Sequence, residues 1–260
     1  MVPMMPRMPM MPRTKVIELR NYLLGPGRTR DFIRYFEEHF LLSQRAEGMH
    51  PLGQFEVVGE PDRFVWIRGF DDMRARFRGL DAFYSGPFWQ ARREEANAMM
   101  REHHNVHLLR PLGSVAALTG GATLEDRASE PPGAVPPETG LVVADFYHTE
   151  PAKLGRLVEL FEQRVRPILL EQGHHVLGHF VAELRPNDYP RLPVVQDPTL
   201  LVILSAYRDR ERCAAMRHDW RNGGPVVQGG MEPLLTGEAE STYLRPTARS
   251  LIRYHGDGAP

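Results

Sequence analysis

Glu47–Phe55 reads EGMHPLGQF, and Gln172–Phe180 reads QGHHVLGHF. Gly48, His50, Leu52-Gly53 and Phe55 of the first stretch return as Gly173, His175, Leu177-Gly178 and Phe180 of the second. The offset is constant at 125 positions, as in 173 − 48. It also carries Tyr22 onto Tyr147, Phe36 onto Phe161 and Glu37 onto Glu162. A gapless register of this kind marks an internal duplication, so the chain is read as two repeats.

Working outward from the first copy, Val16–Leu24 alternates apolar and polar residues as a strand does. Gly25-Pro26-Gly27 breaks it. Arg28–Ala46 places Phe32, Ile33, Phe36, Phe40 and Leu41 at helical spacing, and Gly48 stands where a left-handed stop belongs. Strands follow at His50–Val58 and Phe64–Phe70. A helical region capped by Asp71-Asp72 is interrupted at Ser85-Gly86-Pro87, and a last strand covers Asn105–Arg110. The order β-α-β-β-α-β is ferredoxin-like, with helices on one face of an antiparallel sheet. The second copy repeats it. Its strands are Leu141–Tyr147, Val176–Glu183 and Leu200–Tyr207, and its helices are Pro151–Gln172, with Pro167 kinking or tightening the last turns, and Asp209–Trp220. Both repeats end on Leu-Arg-Pro, at 109–111 and 244–246.

The expected fold class is therefore α+β: two ferredoxin-like βαββαβ repeats whose antiparallel sheets pack as an α/β barrel. The expected segments are a disordered Met/Pro-rich tail (1–14), a first domain (15–111) and a flexible linker (112–140). A second domain (141–246) and a loose C-terminal tail (247–260) complete the chain. ELRPNDYPRLPVVQDP, between two strands of the second repeat, is long enough to rim a site or to be a surface insertion.

Composition narrows the function. A net charge of −1 argues against a nucleic-acid partner. No apolar run reaches the roughly 18 residues of a membrane span. One cysteine, Cys213, forms no internal disulfide, and a reducing, cytoplasmic setting is expected. Gly-x-Ser-x-Gly and strand-following Gly-x-Gly-x-x-Gly signatures are absent. His103-His104-x-x-His107 and His174-His175-x-x-x-His179 offer no converging set of zinc ligands, because neighbouring strand residues point to opposite faces.

Several motifs resemble the NIPSNAP family of the dimeric α/β-barrel superfamily. They are Glu18-Leu19-Arg20-x-Tyr22, Gly25-Pro26-Gly27 before an aromatic helix, Trp66–Asp72 (WIRGFDD), and Pro87-Phe88-Trp89. The likeness covers 15–111 well and 141–246 more loosely, since Val143 and Asp145 replace Glu18 and Arg20. It implies two sheets packed face to face as a barrel, with no fixed cofactor and no single reaction. Related barrels include quinol monooxygenases, polyketide cyclases, muconolactone isomerases and haem-binding enzymes. Members of the family itself include mitochondrial proteins with interaction roles.

If the helices cover the apolar face of each sheet, the polar face lines the barrel. That lining would bind substrate through Glu18, Arg20, Tyr22, Gln54, Trp66, Arg68, His107, Asp145, Tyr147 and Ser205, with Trp89 stacking nearby. Thr242 would join them. His50, His175 and His179 are the acid–base candidates. His175 stands out because His179 lies four residues along the same strand, while an Arg20–Asp145 ion pair would link the repeats. Trp66 and Arg68 would place one cavity nearer the first repeat. The expected function is a small-molecule enzyme without a bound organic cofactor, haem or metal. It would act on an aromatic or polyketide-like substrate in biosynthesis, as a monooxygenase, cyclase or isomerase. The alternative is a non-catalytic barrel that binds a ligand or a partner protein. The expected partner is a small molecule, with self-association left open.

Overall fold

The structure is a computed structural model that describes residues 14–218 and 224–256. Of the tail expected over 1–14, residues 1–13 lie outside the described residues, as does Trp220, whereas Thr14 is buried. The first repeat contains β1 (Val16–Leu24), α1 (Thr29–Ala46), β2 (His50–Val57), β3 (Glu60–Phe70), α2 (Met73–Ser85), α3 (Pro87–Gln90), α4 (Arg93–Ala98) and β4 (Met100–Pro111). After α5 (Ala116–Thr119), the second contains β5 (Leu141–His148), α6 (Leu154–Leu160), α7 (Arg166–Glu171), β6 (His175–Ala182), β7 (Leu200–Tyr207), α8 (Arg210–Arg217), α9 (Pro225–Gln228) and β8 (Glu240–Pro246). Among the described residues no helix is long and apolar enough to cross a membrane.

The eight strands close into one antiparallel barrel, in the order β1-β3-β2-β8-β5-β7-β6-β4. Two short seams join the repeats, and the duplicated motifs build both. Phe55, Glu56 and Val57 pair with Pro246, Arg245 and Leu244. Phe180, Val181 and Ala182 pair with Pro111, Arg110 and Leu109. Each Leu-Arg-Pro thus zips one repeat onto the other.

The duplicated block is explained by backbone geometry. Gly48 and Gly173 have φ of 77° and 80°, a conformation that a side chain disfavours. Each ends its helix in a Schellman turn, with Met49 N–H on Gln44 O and His174 N–H on Leu169 O. Both strands then carry a bulge at the same place, between Pro51 and Gly53 and between Val176 and Gly178. The following glycine leaves room for an aromatic ring. A Cβ on Gly53 would sit 2.5 Å from the Phe55 ring, and one on Gly178 would sit 3.0 Å from the Phe180 ring. Leu-Gly-x-Phe is therefore a device for turning a barrel corner.

Three expectations about the chain's course are corrected. The segment after β4 is not a free linker, and residues 247–256 are not a loose tail. Leu118 and Ile252 are fully buried in the barrel's own apolar cluster and plug one end of it. Backbone bonds hold them: Leu251 and Ile252 N–H both reach Leu52 O, and Ala248 N–H reaches Ala134 O. The Pro/Gly-rich composition hid this, because a few apolar anchors are enough to seat a plug. The long helix expected at 151–172 is split by a π-turn at Phe161–Val165, so the chain widens ahead of Pro167 instead of tightening.

Candidate active site

Closing the barrel decides which face of each strand is inside, and the expectation above is inverted for most of them. Ile17, Leu19, Val65, Ile67, Leu109, Val142, Ala144, Val202 and Leu204 form one cluster with Phe55 and Phe180 and fill the lumen. Alternate residues point outward under the helices. Tyr22 and Trp66 pack with Phe32, Phe36 and Phe64 of the first repeat's outer layer, and Tyr147 packs with Phe161 and Leu157 in the second. A lumen of branched aliphatics maximises apolar burial where the two sheets meet.

The outward polar residues are consequently structural neighbours of the helices. Glu18 is fully buried and accepts from Arg20 Nη1 at 2.6 Å, Arg68 Nε at 2.8 Å and Arg76 Nε at 2.7 Å. Burial alone would raise its pKa, but the Arg68, Arg20 and Arg76 guanidiniums outweigh that and hold the carboxyl well below its usual range. Arg20 also donates to Tyr22 Oη at 2.8 Å, and its guanidinium lies 5.4 Å from the Trp66 ring. The second repeat's long loop covers this cluster. Asp188 and Asn187 both accept from Arg76, at 2.6 and 3.0 Å, and Tyr189 packs on Phe77 and Tyr84. Gln54 shares that face, buried, with both amide ends unpartnered among the described residues.

The remaining expected site residues are dispersed. Trp89 packs on Phe40, Phe83 and Tyr84 outside the sheet. Asp145 also faces outward, bound by Arg217 at 2.6 and 2.9 Å and by Ser241 at 2.6 Å. Arg20 and Asp145 therefore do not meet, because the lumen separates them. Ser205 is buried opposite Val143 and Val176, on the outward face. His107 does face the lumen, against Phe146 at 5.5 Å, and burial lowers its pKa. Thr242 pairs with Ala144 on the lumen side. Cys213 is buried, and burial pushes its thiol up to about 11, which suits packing rather than attack. Among the described residues no group of three or more His, Cys, Asp or Glu gathers as metal ligands do.

The three candidate histidines do not form one relay. The bulge in β6 puts His175 opposite Ala206, on the lumen side, and His179 opposite Ile203, on the outer side. A relay from His175 to His179 along one face is excluded by that flip. His175 rests on Tyr254 at 4.9 Å, while His179 contacts Phe161 at 4.9 Å and Glu162 Oε1 at 3.0 Å.

His50 sits differently. It is the first residue of β2, pairs with Gly69, and so stands beside the residue two further along, Asp71. Its Nε2 lies 3.1 Å from Asp71 Oδ1, and its side chain is about one quarter exposed (23%). The pair opens onto a cleft of about 810 Å³ at the plugged end of the barrel. Leu52, Val115, Leu124 and Leu251 give it apolar walls, and Lys15 and Arg45 stand at its edge. With Asp71 accepting from Nε2, Nδ1 is left as the basic nitrogen, which is the arrangement of an oriented general base. The register sets Arg208 in the second repeat where Asp71 stands in the first, since His50 pairs Gly69 and His175 pairs Ala206. The register thus sets a carboxylate beside this histidine in the first repeat and an arginine at the corresponding place in the second. Asp71 was readable from sequence only as a helix cap; the strand register was the signal that would have found it.

Comparison with known proteins supports the architecture. A candidate monooxygenase from Lactobacillus acidophilus NCFM superposes over 90% of this chain and 94% of its own, with a TM-score of 0.56 at 11% identity. An anthrone oxidase-like protein does so over 90% and 92%, with a TM-score of 0.54 at 13% identity. A NIPSNAP-like domain protein from Burkholderia xenovorans covers 39% of this chain and 88% of its own, at 24% identity and a TM-score of 0.36. No curated protein matches the chain. Residues 17–113, the first repeat of this barrel, match the NIPSNAP family model.

Proposed function

We propose that this protein is a cytoplasmic small-molecule enzyme that works without a bound organic cofactor. Its substrate is an apolar, aromatic or polyketide-like compound held in the cleft at the plugged end of the barrel. The observation that carries the reading is the His50–Asp71 pair set in an apolar-walled cleft. His50 Nδ1 takes a proton from an acidified C–H or O–H of the substrate, and the electron pair stays on the substrate as an enolate or phenolate. Lys15 lines the cleft and favours that anion, while Arg45, also at the cleft, is paired with Glu125 at 2.8 Å. The anion then reacts with dioxygen, closes a ring or is reprotonated elsewhere, according to the substrate. Fold neighbours named as a candidate monooxygenase and an anthrone oxidase-like protein make the oxygen-consuming outcome the first to screen.

The test is oxygen uptake and product mass on a panel of anthrones and hydroquinones, with the wild type, His50→Gln and Asp71→Asn. Loss of His50 should cost roughly 10²–10⁴ in turnover. Equal turnover by His50→Gln would remove it from the mechanism. A second reading, a non-catalytic barrel that binds a ligand or partner, draws on the filled lumen. It is favoured if compounds raise the melting temperature and none is turned over.

A further inference from the structure

The duplication allows the two repeats to be compared at one more position. Glu37 and Gln54 of the first repeat correspond to Glu162 and His179 of the second, at the same offset of 125. The seam strands run past them in the same way: Thr247 N–H bonds Gln54 O, and Leu112 N–H bonds His179 O. What differs is what fills the space beside the glutamate. In the first repeat the chain fills it with hydrogen-bond donors. Thr247 Oγ1 donates to Glu37 Oε1 at 2.5 Å, Gly133 N–H donates to Oε2 at 2.7 Å, and Glu37 is buried. In the second repeat Leu112 brings no hydroxyl. Among the described residues Glu162 accepts from the His179 ring alone, its side chain is about half exposed, and a cleft of about 690 Å³ lies open beside it.

We propose that this second cleft is a binding site for a small zwitterion of the α-amino-acid class. It is distinct from the His50 cleft, and the inference does not depend on the proposed reaction. Glu162 takes the ammonium group, replacing the donors that Gly133 and Thr247 give Glu37. Arg166 lines the same cleft, one helical turn on, and has no ion-pair partner among the described residues. Its guanidinium takes the carboxylate in a two-pronged contact. His179 holds the other side of Glu162 in place, and Leu177, Phe180 and Leu118 offer an apolar floor for the side chain. A volume of this size suits one small ligand. The segment Gly113–Ala116 walls both this cleft and the His50 cleft.

The experiment is isothermal titration of the full chain with each of the twenty free amino acids, and with acetate and methylamine as single-charge probes. Specific amino acids should bind, and acetate and methylamine should bind at least tenfold more weakly. Glu162→Gln and Arg166→Leu should each weaken binding tenfold or more. Both positions are exposed, and an unchanged melting temperature checks folding. Glu159→Gln, an exposed carboxylate outside the cleft lining, should bind as the wild type does. Binding by none of the twenty overturns the proposal. So does binding that survives both Glu162→Gln and Arg166→Leu, or acetate binding as well as the amino acids do.

Discussion

Replacing Glu18 by Gln keeps the shape of the side chain and removes the one negative charge shared by three buried guanidiniums. Arg20, Arg68 and Arg76 each approach it within 2.8 Å and are themselves buried. At a charge separation of about 4 Å and an effective dielectric near 20, each attraction is about 4 kcal/mol gross. The desolvation of Glu18 and the mutual repulsion of the arginines offset much of that sum. What remains after the change is Arg20 and Arg68 buried without their carboxylate, with Arg76 still held by Asp188, and breaking a buried pair in this way costs about 3–5 kcal/mol. Asp188 is the contrast. It is 28% exposed and touches Arg76 alone among the three, so Asp188→Asn should cost less than about 1 kcal/mol. The pH dependence follows from the sign of the shift. Glu18 has its folded pKa lowered from 4.5, so its stabilisation is complete above pH 4.5 and is lost as pH falls toward the folded value. Urea unfolding of the wild type and Glu18→Gln at pH 7 should show the full gap, and the gap should narrow progressively below pH 4.5. A cost under 1 kcal/mol at pH 7, or a gap that widens in acid, would refute this account of the cluster.

Three further outcomes follow from other parts of the molecule. Burial, with Arg217 and Arg212 nearby, lowers His174 to about 4 from an unfolded value of 6.5. The unfolded chain therefore binds the proton first, and stability should fall by roughly 2 kcal/mol from pH 6.5 to pH 4; melting curves of His174→Gln should be flatter over that window. Gly53→Ala, with its Cβ 2.5 Å from the Phe55 ring, should cost about 1–3 kcal/mol, and Gly178→Ala, with 3.0 Å to Phe180, should cost less; chemical denaturation ranks them. Ile252→Ala should cost about 2–4 kcal/mol, because Ile252 is fully buried in the barrel cluster, whereas a loose tail would make it silent.

The sequence carried the barrel but concealed which way its strands face. Register repeats, strand alternation and the glycine helix stops are local features, and each is visible in a few residues: β7 matches its expected span, and α1 and β6 are offset by one residue. Facing is a global property. In β1 both faces are buried, Ile17 and Leu19 on one and Glu18, Arg20 and Tyr22 on the other. Alternation therefore separated two buried layers, and the apolar layer was assigned to the helices by default. The structure resolves the choice by pairing. Three arginines neutralise against Glu18 and Asp188 only if α2 and the loop after β6 come together over β1 and β3. Aliphatic residues need no such partners and can meet across the lumen.

The same reasoning explains why the candidate base was partly legible. His50 was visible as a duplicated histidine after a helix stop, yet its twin His175 looked equal to it or better. Sequence spacing treated β6 as a regular strand, on which residues four apart share a face. The bulge breaks that rule in both repeats at the same residue, and it separates His175 from His179 as it separates His50 from Gln54. With relays along the strand removed, the question becomes which histidine has a carboxylate across the sheet. The register sets Asp71 beside His50, 3.1 Å from its ring, and Arg208 at the corresponding place on the strand beside His175. The repeats have thus kept one backbone and diverged at single side chains, Asp71 against Arg208 and Thr247 against Leu112. Those substitutions, rather than the shared motif, are where two different sites on one barrel are to be sought.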